Sequence, residues 1–511
     1  MAGVDVQRRM SALGAVPTSA GTVEFRVWAP SAASVDVRVG EVRRGLAPEA
    51  DGTWTAVVDA VPGDDYVFVL DGERELADPC SRFQPRGIGG SSRVVDTARF
   101  EIAPLDGVPL EELVAYELQV GTFSEAGTFD GAIPHLAPLR ELGVTAMELM
   151  PVGTFPGKRN WGYDGVDTYA PHPVYGGPEG LARFVDAAHR ARLAVILDVV
   201  YNHVGPGNHL GEFGPYFTDR HETFWGDALD YTQDGVREWA IQNAELWIGD
   251  YGIDGLRLDA VHAVYDDSPT HVLAELARRV KAINPRALVI SEMEIGDWRP
   301  IEEWGHDAQW FDTPHHLLHV ALTGETDGYY AEFGRDLPAL RDAITGAGHA
   351  PEQLIVCAQN HDQVGNRALG DRLPPDALRC AAAVVLFSPC TPLLFMGEEY
   401  AEPNPFQFFT DHVDPFVADA TREGRKREFA SFAGFSADDV PDPQAEETFL
   451  RSKLSRRVDE ETRALYERLL RLRRELPRET SVDVDGKTVR MRRGDSTLVV
   501  DLDAKTVRLH G

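Results

Sequence analysis

Between residues 114 and 400 one pattern recurs eight times: a short apolar run followed, in most cases, by a longer segment with apolar residues at helical spacing. The runs are Ala115–Val120, Thr145–Val152, Leu193–Val200, Gly255–Val261, Ala287–Met293, Ala308–Asp312, Leu354–Asp362 and Pro392–Glu399. Helical patterns lie between several of them, at Pro178–Ala191, Asp234–Tyr251, His271–Asn284 and Pro375–Phe387. Such alternation predicts parallel strands covered by helices, because a parallel crossover needs a segment long enough to return along the sheet. Eight units over roughly 300 residues predict an α/β fold with a closed (β/α)8 TIM barrel. An open doubly wound sheet is the competing architecture, but no Gly-x-Gly-x-x-Gly follows the first run.

The flanks read differently. Residues 1–100 contain alternating segments at Val23–Trp28, Ser34–Val39 and Tyr66–Leu70, with turn formers at Pro62–Asp65 and Asp71–Gly72. That pattern predicts an N-terminal β-sandwich. Residues 101–113 read as a linker and 114–455 as the barrel. Residues 456–511 read as a charged amphipathic helix (Asp459–Glu475) and a short C-terminal β-domain, with alternating segments at Ser481–Val484, Thr488–Met491 and Thr497–Asp501.

Composition narrows the function classes. The chain of 511 residues carries 50 basic and 82 acidic residues, a formal charge of -32. Phosphate backbones are bound by clustered Lys and Arg, so nucleic acid and anionic membranes are disfavoured as partners, whereas neutral sugars are compatible. The four cysteines, Cys80, Cys357, Cys380 and Cys390, form no CxxC pair and sit near no spaced histidines, which argues against zinc and against a disulfide framework. MAGVDVQRRMSALGAVPTSAG lacks a secretory apolar run, and no stretch approaches a membrane span. The expected location is cytoplasmic.

The polar residues that end the apolar runs carry the functional signal. Asp198-Val-Val-Tyr-Asn202-His203, Arg257-Leu-Asp259, Ser291-Glu292 and Gln359-Asn360-His361-Asp362 all fall at carboxyl ends of predicted strands, which in a (β/α)8 barrel converge on one open face. One acidic residue there is most simply a helix cap or surface ion pair; several together point to a shared pocket. Converging carboxylates can bind a metal or cleave a glycosidic bond. Asp259 and Glu292 end the fourth and fifth runs and are therefore neighbours, which suits the roughly 5–5.5 Å carboxyl separation of retaining glycosidases.

DVVYNH (198–203), GLRLDAVH (255–262), SEMEIGD (291–297) and QNHDQVGNR (359–367) resemble, in order, the four signature regions of the α-amylase clan of glycoside hydrolases. The resemblance spans the whole chain and implies catalytic roles for Asp259, Glu292 and Asp362. Asp259 would be the nucleophile, kept ionised by Arg257; Glu292 the general acid and then base; Asp362 would hold sugar hydroxyls and favour the distorted transition state. Substrate contacts are implied for Arg257, His203, His361, Gln363, Trp161 and Tyr163, the last stacking on the sugar face. The family often binds calcium through the residue matching Asn202, but no six-to-eight-oxygen shell can be assembled from the sequence, so no metal and no cofactor are expected.

Within the clan, MPVGTFPGKRNWGYDG (150–165), LLFMGEEYAEPNPFQFFTDH (393–412) and VPDPQAEETFLRSKL (440–454), after the run KREFASFAGF, resemble the maltooligosyltrehalose trehalohydrolase family. That likeness implies hydrolysis of the α-1,4 bond next to the terminal trehalose of maltooligosyl-trehalose, downstream of a maltooligosyltrehalose synthase. His262 and the 294–299 loop would face the leaving trehalose. Two segments depart from the family pattern: SEMEIGDW where an AESDLNDP-like string is usual, and FDTPHH (311–316) where NDDFHH is typical. A glucan branching or debranching enzyme is the nearest alternative. A non-catalytic glucan-binding protein and a metal-dependent hydrolase represent other classes.

Overall fold

The computed structural model describes residues 12–18, 21–223, 225–326, 330, 331, 333, 337–429 and 440–510. Residues 1–11 of the amino-terminal stretch and 430–435 of the KREFASFAGF run lie outside the described residues.

Eight parallel strands close into a barrel: β1 (Ala115–Leu118), β2 (Ala146–Leu149), β3 (Ala194–Val199), β4 (Gly255–Leu258), β5 (Leu288–Ser291), β6 (Ala308–Trp310), β7 (Leu354–Cys357) and β8 (Thr391–Phe395). Each lies within or at one of the eight apolar runs. Closure is made by β8 against β1, with Ala115 opposite Leu393 and Glu117 opposite Phe395. The strands are buried on both faces, which is why they read as continuous apolar runs rather than alternating ones. A separate core fills the barrel interior with small and branched side chains, among them Ala115, Ala146, Ala194, Ile196, Ile290, Ala308 and Ile355. Polar residues occupy the register positions nearer the open face: Glu117 pairs with Glu148, and Asp198 with Arg257.

The surrounding helices follow the predicted periodicity to within two residues at each end: Gly177–Arg190, Asp234–Gly249, Val272–Ile283 and Pro375–Phe387. Pro178, Pro314 and Pro375 open helices, where a missing N–H costs no hydrogen bond.

The N-terminal region is two antiparallel sheets. One orders Gly14–Pro17, Val23–Trp28, Thr53–Val58 and Ala47–Pro48; the other is built on Val42–Gly45, Val35–Val39, Asp65–Leu70 and Arg74–Leu76, with Ser92–Arg93 also paired to Asp65–Leu70. Phe25, Val37 and Phe68 are fully buried between them. After helix Glu460–Arg473, N-capped by Asp459, a four-stranded antiparallel sheet runs Thr480–Asp485, Thr488–Arg493, Ser496–Asp501 and Thr506–His510. Its last strand was beyond the sequence reading.

Trp28 docks the sandwich onto the barrel. Its indole lies edge-on to Tyr216 at 5.1 Å and covers Gly235 at the start of helix Asp234–Gly249. A Cβ at position 235 would sit 2.1 Å from the Trp28 ring. Gly235→Ala is therefore expected to destabilise the chain by about 1–3 kcal/mol through overpacking, seen as a lower thermal midpoint. An unchanged midpoint would mean that Trp28 moves aside at no cost.

Candidate active site

The site is organised around one guanidinium. Arg257, on β4, is fully buried and packs its guanidinium 4.2 Å from the Trp310 ring centroid. Its Nη1 donates to both Asp198 oxygens at 3.0 and 2.9 Å and to Asp259 Oδ1 at 2.8 Å. Its Nη2 lies 2.8 Å from Glu292 Oε2, close enough for an ion contact but without hydrogen-bond alignment. Three carboxyl groups from the ends of β3, β4 and β5 thus meet one cation.

The loop after β4 ties the two expected reactive carboxyls together. Asp259 Oδ2 accepts from Asn202 Nδ2 at 2.8 Å, and its carbonyl accepts from the same nitrogen at 2.9 Å. The next residue, Ala260, adopts the left-handed region (φ 39°). That turn aims its N–H at Glu292 Oε2, 2.8 Å away, while Val261 N–H donates to the Glu292 carbonyl at 2.9 Å. Burial raises the Glu292 carboxyl above the usual carboxylate range; Arg257 opposes this, and the nearby Asp259 and Asp362 reinforce it. Burial likewise pushes Asp198 up to about 7 against the pull of Arg257.

A second chain of contacts holds Asp362. The buried His361 places Nδ1 2.5 Å from Glu117 Oε1, and its backbone N–H donates to Glu117 Oε2 at 2.8 Å. Nε2 lies 2.8 Å from the Tyr163 hydroxyl and 3.3 Å from Asp362 Oδ1. Burial pushes the imidazole down, but Asp362 and Glu117 outweigh it and hold His361 well above its ordinary value. Burial pushes Asp362 up in turn, but the charge and hydrogen bond of His361, with Arg257 and Asn366, hold it below the usual carboxylate range. The Tyr163 hydroxyl donates to Asp198 Oδ2 at 2.6 Å, so it links the His361 network to Arg257.

The remaining expected contacts fall into different places. His203 sits beside Asn202, its Nδ1 against Asn202 Oδ1 and its Nε2 2.8 Å from the Tyr163 carbonyl. Tyr163 turns one ring face onto His361, at 5.1 Å and 26°. Trp161 is buried, stacked on Phe406 at 5.1 Å, with Nε1 donating to the Gln407 carbonyl at 3.0 Å. It backs His361 edge-on at 5.6 Å rather than presenting an open face. His262 is exposed in the turn Val261–Ala263, and Gln363 is half-buried in the short helix His361–Gly365. Asn202 does not suit a calcium ligand here: its amide nitrogen is spent on Asp259 and its oxygen faces His203.

Asp198, expected at a strand end but given no role there, completes the site with Glu117, Trp310 and Asn366, which carry no expectation from the sequence. A signal existed for Glu117, a charged residue inside the apolar run Ala-Tyr-Glu-Leu, and for Asp198, the first residue of DVVYNH. Asn366 falls inside the segment QNHDQVGNR, and nothing in the sequence pointed to Trp310.

Residues 97–212 match the family model described as Alpha amylase, catalytic domain. With its barrel and carboxyl-lined open face, the protein is a glycoside hydrolase of that class. The chain is 44% identical over 505 residues to a malto-oligosyltrehalose trehalohydrolase of Deinococcus radiodurans, covering 91% of this chain and 83% of the relative. It is 41% identical over 491 residues to the Saccharolobus solfataricus protein of the same name, covering 89% and 85%. It belongs to the malto-oligosyltrehalose trehalohydrolase family. Among solved structures it superposes, with TM-score 0.88 and 37% identity, on a Salmonella typhimurium protein assigned as an α-amylase, covering 96% of this chain and 92% of that one.

Arg257→Met is expected to destabilise the fold by about 3–5 kcal/mol, because it leaves buried carboxyl groups without their cation. Chemical denaturation would measure it. A loss below 1 kcal/mol would show that the carboxyl groups neutralise without it.

Proposed function

We propose that this protein hydrolyses the α-1,4-glucosidic bond next to the terminal trehalose of maltooligosyl-trehalose, releasing trehalose and a shorter maltooligosaccharide by a retaining mechanism. Near full-length kinship to the trehalohydrolases supports the substrate. The observation that carries the chemistry is that adjacent nitrogens of Arg257 contact Asp259 and Glu292. Carboxyl groups sharing one guanidinium fit the roughly 5–5.5 Å spacing of a nucleophile and acid, not the wider gap that admits a water.

Asp259, ionised beside Arg257, attacks the anomeric carbon. Glu292, kept protonated by burial and by the negative charges near it, delivers its proton to the glycosidic oxygen of the leaving trehalose. It then takes a proton from the water that opens the glycosyl ester. Asp362, held ionised by His361, accepts hydrogen bonds from the sugar hydroxyls as positive charge develops at the ring. His361, His203, Gln363 and Tyr163 border that ring, and Trp161 supports His361 from behind. On the leaving-group side stand His262 and the 294–299 loop. That loop is braced by the Asp297–Arg299 pair and by Gln309 Nε2 donating to the Asp297 carbonyl at 2.9 Å. Trp298 within it packs on His349 at 4.1 Å.

On this reading residues 1–100 form the sandwich, 101–113 the linker, 114–455 the catalytic barrel and 456–511 the C-terminal element. The enzyme acts in the cytoplasm on the product of a maltooligosyltrehalose synthase. The four free, buried cysteines suit that reducing compartment. Among the described residues no helix is long and apolar enough to cross a membrane.

Incubation with maltotriosyl-trehalose is expected to yield trehalose and maltotriose, the latter appearing first as its α-anomer by proton NMR. Absence of trehalose sinks the substrate assignment, and a β-anomer sinks retention. Asp259→Ala is expected to lower kcat on the order of 10⁴-fold or more, and Glu292→Gln by about 10²–10⁴-fold. Activity requires protonated Glu292, so kcat/KM falls as pH rises through its raised pKa. Asp362→Asn removes a charge that raises that pKa and should move the alkaline limb of the residual activity to lower pH. A limb that stays in place would assign it to another group.

A further inference from the structure

A cavity lies at the opposite end of the barrel from the carboxyl face, where the C-terminal helix and sheet meet the strand beginnings. It measures about 650 Å³ and is lined by six arginines, Arg140, Arg192, Arg473, Arg474, Arg478 and Arg493, against three carboxylates, Asp106, Glu111 and Glu112. In a chain of net charge -32 such a cluster is conspicuous. Among the described residues a single carboxylate makes an ion contact with any of the six, Glu352 at 3.5 Å from Arg478.

Two of the six serve one helix end. Arg473 donates to the carbonyls of Leu386, Ser388 and Cys390, and Arg493 to those of Phe387, Ser388 and Pro477. They thereby satisfy the end of helix Pro375–Phe387, where orphan carbonyls and the helix dipole favour cations. Burial and then their neighbours' charge push Arg473 down to about 9 and Arg493 to about 10. A guanidinium stays protonated in a protein, so these shifts record first the cost of burying the two cations and then their closeness to other arginines.

The other four reach the cavity from separate elements, Arg140 also donating to the Val144 carbonyl at 3.2 Å and Arg478 to the carbonyls of Pro389 and Glu111. Arg140 belongs to helix Leu136–Leu142, and Arg192 to the turn before β3. Arg474 follows the C-terminal helix, and Arg478 the turn after it. Arg474 Nη2 lies over Gly143, 3.2 Å from where a Cβ would stand. Leu105, Val108, Pro109, Val114, Leu470 and Leu476 supply an apolar wall. Guanidinium groups match phosphate oxygens as paired donors, and a cavity of this size holds a small organic molecule rather than a lone ion.

We propose that this cavity binds a phosphate monoester of a small organic molecule, its phosphate held by Arg140, Arg192, Arg474 and Arg478 and its organic part against the apolar wall. The ligand bridges the barrel base to the C-terminal element and steadies their contact. It lies at the far end of the strands from Asp259, so the glycosidase chemistry proceeds without it.

The test is calorimetric titration of the full chain at constant ionic strength, set with chloride, using glucose 6-phosphate, AMP and inorganic phosphate as separate probes. At least one ester is expected to bind one-to-one, tenfold or more tighter than inorganic phosphate, and to raise the thermal midpoint. Arg192→Gln combined with Arg474→Gln, both at exposed positions, is expected to weaken it at least tenfold while hydrolysis of maltotriosyl-trehalose is unchanged. Val108→Glu, which adds a negative charge at the wall, should do the same should the double variant fold poorly. Failure of both esters to bind overturns the proposal. So does equal affinity for inorganic phosphate, or binding that survives both variants.

Discussion

The Arg257 guanidinium is the contact on which the site depends. Buried, it costs several kcal/mol to desolvate, and it is retained where Asp198, Asp259 and Glu292 converge. Three carboxyl groups around one cation leave the cluster with more acid than positive charge. A low-dielectric pocket resolves such an imbalance by keeping protons on some of the groups. Glu292 and Asp198 are the groups that burial raises, and Glu292 faces the leaving oxygen on the proposed reading. The acid of the reaction thus follows from the charge balance of the cluster rather than from Glu292 alone.

A second balance is set beside the first. His361 stands between Glu117 and Asp362 and is charged, so Nδ1 donates to Glu117 and Nε2 to the Tyr163 hydroxyl, which in turn donates to Asp198. Nε2 also faces Asp362 Oδ1 at 3.3 Å, and the chain runs from β1 to β3. Glu117 anchors it from the first strand, distant in sequence from every other member. The imidazolium keeps Asp362 ionised while its neighbour Glu292 keeps a proton, so two carboxyl groups of one pocket hold opposite states.

Much of this was legible in the residues. The eight strands show because both their faces are buried, which makes each a continuous apolar run; the trio shows because polar residues that end such runs are unusual. Helix ends were read well because Pro178 and Pro375 mark them. The strands Gly14–Pro17, Val42–Gly45, Thr53–Val58 and Thr506–His510 escaped because they are short, half-exposed or charged, as Val42-Arg-Arg-Gly is. Trp310 on Arg257 and the arginine-lined cavity escaped for a different reason. They are convergences of side chains from distant segments, and neither spacing nor periodicity records which strand neighbours which helix. Trp161 shows the converse: an aromatic in a signature segment invites the role of a sugar platform, yet its position behind His361 is set by packing.

The closure of β1 by β8 governs when the enzyme comes into being. Glu117 is among the first barrel residues to leave the ribosome, but its partner His361 arrives six strands later, and the Phe395 that faces it in register later still. Until β8 is made the nascent chain is an open ring whose first strand has an unpaired edge. The Arg257 cluster draws on β3 to β5 alone, whereas the sealed edge appears when the last strand slots in. A chain that stops short of β8 therefore keeps the free edge of β1, where Ala115, Tyr116 and Glu117 would otherwise pair with Leu393, Leu394 and Phe395.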